Sequence, residues 1–104
     1  MEKINSNIEY ITMNDGNEVK LSMTFLRLMQ LKGNKEYKAD VEAAMAVLSS
    51  TDVDFLEWAK FVWVAYLCEN TQPQYTRAEF LTQLPFDLEA IGNVVTALTT
   101  SKKK

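Results

Sequence analysis

A chain of 104 residues, 47% hydrophobic and 24% charged, has material for one modest core and one domain, without needing disulfides or metal. The net charge is −3; without the three terminal lysines the body carries 8 basic against 14 acidic residues, or −6. An acidic body excludes the phosphate-neutralising surface that DNA or RNA binding requires, so no nucleic-acid partner is expected.

Cys68 is the single cysteine, so no internal disulfide can form, which suits a reducing cytoplasm. The opening Met-Glu-Lys-Ile-Asn-Ser-Asn lacks the basic-then-apolar order of a signal peptide. The longest apolar run, Phe55 to Cys68, is interrupted by Glu57 and Lys60 and falls short of the roughly 20 residues of a membrane span. A soluble cytoplasmic protein with no membrane partner is expected.

Residues 8–24 read as a β-hairpin. Asn14-Asp15-Gly16-Asn17 is a turn cluster, and Asp15-Gly16 predicts a type I′ turn because glycine tolerates positive φ. After it, Glu18-Val19-Lys20-Leu21-Ser22-Met23 alternates polar and apolar with strand period. A lone hairpin is marginal in water, so Val19, Leu21 and Met23 are expected to lie on helices.

From residue 24 the spacing turns helical. Phe25, Leu26, Leu28, Met29 and Leu31 belong to a helix over 24–32, capped by Thr24 or Ser22 and ended by Gly33. A second helix over 35–49 carries Tyr37, Val41, Ala44, Met45 and Leu48 on one stripe and charged residues opposite. Residues 52–70 form the central helix. Phe55, Trp58, Phe61, Val62, Trp63, Tyr66 and Leu67 surround its axis almost completely, the mark of a helix enclosed by its neighbours. Thr51 or Asp52 can cap it, and Asp52 or Asp54 suits its positive start.

Thr76-Arg77-Ala78-Glu79 has capping-box spacing, which predicts a short helix with Phe80, Leu81 and Leu84 as its apolar residues until Pro85 interrupts it. A last helix follows Phe86-Asp87. Its Leu88, Ile91, Val95 and Leu98 form a seam suited to packing on another helix. Gly92 in its interior costs about 1 kcal/mol against alanine and points to a close helix contact. The expected fold is mainly α (α+β): an N-terminal hairpin over 8–24, then a bundle of about five helices around a central buried helix, in one domain over 1–100. Residues 101–104 are expected to be a disordered basic tail.

The residues hold no catalytic machinery. Histidine is absent, which removes the commonest general base and metal ligand. Cys68 therefore has no base of the usual kind and reads as a small core residue. No CxxC, Walker loop or GxGxxG occurs, so no nucleotide, cofactor or metal is expected. Asp52 and Asp54 read as helix-start acids; Glu36, Asp40 and Glu42 read as a solvated face. Asn14 to Glu18 lacks the acidic series of a calcium loop.

A binding role remains. The hairpin stripe, the 25–31 helix and the 88–98 seam are read first as ordinary core, with a surplus of apolar surface beyond what one buried helix covers as the alternative. The excess suits a partner helix lying in a groove, with Met13, Met23, Met29 and Met45 as adaptable contacts. Phe86, Ile91, Val95 and Leu98 are the expected partner-facing residues, although the same four equally suit the core. A homo-oligomer is also compatible with these residues.

The order of elements resembles the tail assembly chaperones of long-tailed bacteriophages. The resemblance rests on the opening hairpin leading into Leu21-Ser22-Met23-Thr24-Phe25-Leu26-Arg27-Leu28. It continues through the aromatic helix 55–68 and Tyr75-Thr76-Arg77-Ala78-Glu79-Phe80-Leu81 to the helix 87–99, covering about residues 8–104. The family has no catalytic signature, and no functional residue is carried across by motif. The resemblance implies a protein that binds the helical tape measure protein, keeps it soluble and promotes tail-tube assembly around it. It would act without ATP in the bacterial host cytoplasm and stay out of the mature virion. It also implies a longer frameshifted product that engages the tail-tube protein, with Lys102-Lys103-Lys104 encoded by an A-rich slippery run. The alternatives are a structural head-tail joining or tail-completion protein, or a small protein-binding regulator.

Overall fold

The computed structural model describes residues 8–49 and 55–99. The helix caps at Thr51 and Asp52, the acid Asp54 and the tail lysines lie outside the described residues. Strands β1 (Glu9–Thr12) and β2 (Glu18–Leu21) pair antiparallel, with Glu9 opposite Leu21 and Thr12 opposite Glu18. Five helices follow: α1 (Phe25–Lys32), α2 (Lys38–Ser49), α3 (Phe55–Glu69), α4 (Arg77–Gln83) and α5 (Leu88–Thr99). The fold is the hairpin and helix bundle expected from the sequence.

The hairpin turn is not the expected type I′. That turn needs positive φ at two successive residues, and among the described residues only Gly16, at 92°, has it. The Met13 carbonyl accepts from the Gly16 amide at 2.9 Å, and the Met13 amide donates to the Asn17 carbonyl at 2.8 Å. A turn over Met13–Gly16 is thus followed by a glycine bulge. The reason is local: the Asp15 carboxylate accepts from the Asn17 amide at 3.1 Å, holding Asp15 at negative φ. Below the turn Ile11, Met13, Val19 and Leu21 point into the core, and the Ser22 amide donates to the Ala65 carbonyl of α3 at 3.2 Å.

Eight successive residues of α3, Phe61 to Cys68, are buried. Helices α1, α2, α4 and α5 and strand β2 all pack on α3, so each of its faces meets a neighbour. Fully burying a large apolar side chain stabilises by about 1.5–3 kcal/mol, which makes this run the main source of stability. Its aromatic part is continuous: Trp63 stacks on Tyr66 at 5.8 Å, and Phe80 of α4 lies 4.8 Å from Tyr66 and 5.4 Å from Trp63. The buried Trp63 indole N–H has no hydrogen-bond partner among the described residues.

The end of α3 is closed by distant side chains. Arg27 of α1 donates from Nε to the Cys68 carbonyl at 3.1 Å and from Nη2 to the Leu67 carbonyl at 2.8 Å. A cation at a helix C-terminus also matches the helix dipole. Asn70 Nδ2 donates to the carbonyls of Tyr66 and Lys20, tying the same end to β2. The Tyr66 hydroxyl accepts from the Gln74 amide at 2.7 Å and so fixes the α3–α4 connection.

Helix α2 starts at Lys38, three residues later than its spacing suggests. Asn34 diverts the chain: its carboxamide oxygen accepts from the Glu36 amide at 2.8 Å and its carbonyl from the Tyr37 amide at 3.0 Å. The capping box of α4 forms as expected, Thr76 and Glu79 each bonding the other's backbone amide. Arg77 then grips Asp40 of α2 through Nε and Nη2, one to each carboxylate oxygen, and that hydrogen bonding pushes the Arg77 pKa up. Asp40 is therefore a structural partner of Arg77, not part of a solvated face.

Candidate interaction surfaces

Two strips of large apolar side chains face outward, each beside a groove. The first belongs to α1. Thr24 caps this helix, its hydroxyl accepting from the Arg27 amide at 3.3 Å; Leu31 is buried in the core and Arg27 reaches α3. That orientation leaves Phe25, Leu26 and Met29, at spacing i, i+1, i+4, exposed on the other side; Phe25 is 83% exposed. Leu48 of α2 extends the strip. Behind it is a groove of about 240 Å³ lined by Met23, Leu28, Met45, Phe61 and Leu98.

The second strip surrounds the start of α3 and the α4–α5 connection. Leu84 has φ −64° and ψ 125°, the extended conformation favoured before proline, and its side chain is buried. Pro85 follows and the chain turns outward. Phe86 is 85% exposed, yet its ring meets that of Phe55 edge-on at 5.0 Å. Leu56, Leu88 and Leu81 are exposed around it. Between them a groove of about 280 Å³ has Phe55, Ala59, Leu84 and Pro85 as walls and Ile91 as floor.

The four expected partner-facing residues therefore divide. Phe86 faces outward. Ile91, Val95 and Leu98 are buried, Ile91 at 1% exposure, and this corrects their assignment to the outer surface. The cause is that α5 packs on both α3 and β1, which cover the seam from inside the protein. Ile91 and Leu98 still reach the floors of the two grooves. Met13 is also buried, whereas Met23 and Met45 line the first groove and Met29 is exposed beside it. Leu56 and Leu88 were not singled out as outward residues. A signal for Leu88 exists in Phe86-Asp87-Leu88-Glu89, where apolar and acidic residues alternate across a helix start.

The charged residue lining the second groove is Lys60. Asp87 and Glu89 are exposed, and Glu57 on α3 pairs with Lys60 at 3.9 Å. From Phe55 to Thr99 there are five acidic and two basic residues, and one of the two, Arg77, is held by Asp40. Asp87 also caps α5, its Oδ1 accepting from the Ala90 amide at 3.1 Å.

A polar cluster lies elsewhere, where the hairpin turn meets α4. The Tyr75 hydroxyl donates to Asp15 Oδ2 at 2.8 Å and accepts from Asn17 Nδ2 at 3.2 Å. The Asn14 amide donates to the Gln83 carbonyl at 2.7 Å. The Asn17 amide, followed by the Tyr75 hydroxyl, holds the Asp15 carboxyl below its usual range. Asp15, Gln74, Tyr75 and Glu79 line a cleft of about 430 Å³ here, and these bonds account for them as a staple between hairpin and α4. Burial pushes the Cys68 thiol up, which keeps it in its unreactive neutral form. Among the described residues no group of His, Cys, Asp or Glu has the arrangement of a metal site, and no helix is long and apolar enough to cross a membrane. What the surfaces can do chemically is bury apolar side chains of another molecule. No protein-family model, curated protein or solved structure matches the chain.

Proposed function

We propose that the protein is a tail assembly chaperone of a long-tailed bacteriophage, acting by binding and without catalysis or ATP. It covers apolar helical faces of the tape measure protein, keeps that long chain soluble and hands it to the assembling tail tube. The supporting observation is the pair of exposed apolar strips, Phe25-Leu26-Met29-Leu48 and Leu56-Phe86-Leu88, each bordering a groove sized for side chains. Exposed apolar patches rimmed by polar residues mark interaction sites, and a groove of this kind receives one face of an amphipathic helix. The order of elements supports the same reading through its resemblance to the phage chaperones. The acidic body would keep the complex soluble.

Co-expression with the tape measure protein tests this reading. The expected result is soluble tape measure protein that co-purifies with the chain, and loss of both effects with Phe25→Asp and Phe86→Asp together. Tape measure protein that stays insoluble with and without the chain would overturn it. Mass spectrometry of purified virions is expected to miss the chain; recovery in stoichiometric amount would favour a head-tail joining or tail-completion component instead.

A further inference from the structure

The first strip stands on a face without free charge. Arg27 is the one charged residue between Ser22 and Leu31, and its guanidinium is occupied by the Leu67 and Cys68 carbonyls and by Gln30. No charged residue occurs from Ala43 to Ser49, and none lines the groove behind the strip. The chain as a whole is acidic, with a net charge of −3. The same face holds both a projection and a recess. Phe25 is 83% exposed at the first position of α1, and beside it Leu28, Met45 and Leu98 line the groove of about 240 Å³.

We propose that this face pairs with its own counterpart on a second copy of the chain, about a two-fold axis, with Phe25 of each copy entering the groove of the other. A two-fold interface sets one patch against the same patch, so any charge on it meets its like, and two acidic copies repel each other through the rest of their surfaces. The uncharged face is the one where that repulsion is absent. Self-pairing also needs a knob and a hole on one face, whereas a groove that only receives a foreign helix needs the hole alone. At their exposures Phe25, Leu26, Met29 and Leu48 present about 500 Å² of side chain, against roughly 800 Å² per partner in a standard interface, so the pair is a reversible one. The flexible thioethers of Met29 and Met45 can adapt to the fit. The inference goes beyond the chaperone reading and does not depend on it. The second groove shares no lining residue with the first, so pairing leaves it available on both copies.

Sedimentation equilibrium of the intact chain tests the pairing. The expected result is a monomer–dimer equilibrium with Kd on the order of 10–100 µM and no larger species. High salt should tighten it about threefold, because the acidic repulsion is screened while no ion pair is lost. Phe25→Asp should raise Kd by about tenfold or more. Its circular dichroism should stay that of the parent, since the side chain is exposed and aspartate suits a helix start. Leu26→Asp should act in the same direction, and Phe86→Asp, at the second groove, should leave the pairing unchanged.

A monomer at every concentration up to several times that Kd would overturn the proposal. So would pairing that survives Phe25→Asp, pairing that weakens in salt, or growth beyond two copies, which marks an open head-to-tail contact. Phe25-dependent uptake of an apolar helical peptide of about 18 residues by a chain that stays monomeric would give the face to a foreign helix and overturn it as well.

Discussion

Gly92 of α5 lies against the indole of Trp58 on α3, so closely that an added Cβ would sit 3.0 Å from Cζ3. This contact lets the two helices approach where a side chain larger than a methyl would hold them apart. It explains a glycine in a helix interior that would otherwise favour alanine by about 1 kcal/mol. Gly92→Ala is expected to be close to neutral, the helix gain offsetting a small displacement of the ring. Gly92→Leu should destabilise by about 1–3 kcal/mol, because the half-buried indole cannot move far enough. Urea unfolding followed by tryptophan fluorescence measures both the stability and the displaced ring.

Phe86 and Ile91 border the same groove but belong to different economies of the molecule. Phe86→Asp changes an exposed side chain, removes its edge contact with Phe55, and should lower stability by about 0.5–1.5 kcal/mol, leaving the fold intact while abolishing partner binding. Ile91→Asp buries an unpaired carboxylate, which a small domain of about 5–15 kcal/mol total stability does not tolerate, so that variant should be unfolded by circular dichroism. A Phe86→Asp protein that is folded and still binds would remove this groove from the interaction.

Arg27 supplies two charge-assisted hydrogen bonds to the last turn of α3 from 40 and 41 residues away. Arg27→Met keeps the apolar stem and removes the donors. It should lower stability by about 1–3 kcal/mol, read as a shift in urea midpoint at constant slope. Arg27→Lys should recover only part, since one ammonium replaces a planar fork.

The Asp15–Tyr75 bond gives the hairpin–α4 staple a pH window. The Asp15 carboxyl titrates below its ordinary 3.8, through the Asn17 amide and then the Tyr75 hydroxyl. A lowered folded pKa means that its stabilisation is complete above the ordinary value and is lost as pH falls through the folded one. Tyr75 moves the other way, above its ordinary 10.0, through burial first and the Asp15 acceptor among further causes. Its contribution is present below that value and is lost in alkali. Stability measured against pH should therefore fall below about pH 4, and Asp15→Asn should flatten that acid limb.

Local chemistry made much of this fold legible. The Thr76-Glu79 capping box, the alternation through Val19 and Leu21, and the all-round apolar run of α3 each act within a few residues, and each formed where the sequence pointed. Long-range choices were not legible. Nothing near Arg27 says that it will reach Leu67, and nothing near Asp40 names Arg77. The α5 seam was visible as a seam, but which side of it would be covered depended on α3 and β1 arriving there. Phe86 was legible as an outward residue only together with three that turned inward. The turn was misread because the Asp15 side chain bonds Asn17 and overrides the dipeptide preference.

Pro85 has a consequence for how tightly the proposed partner would be held. Its pyrrolidine ring restricts the backbone between the inward Leu84 and the outward Phe86. The phenyl group is thus held out on a stiff strut before any encounter, instead of being drawn from a floppy loop during it. Little conformational freedom is left to freeze at the moment of contact, so a given area of hydrocarbon yields more net affinity than the same ring on a glycine hinge would.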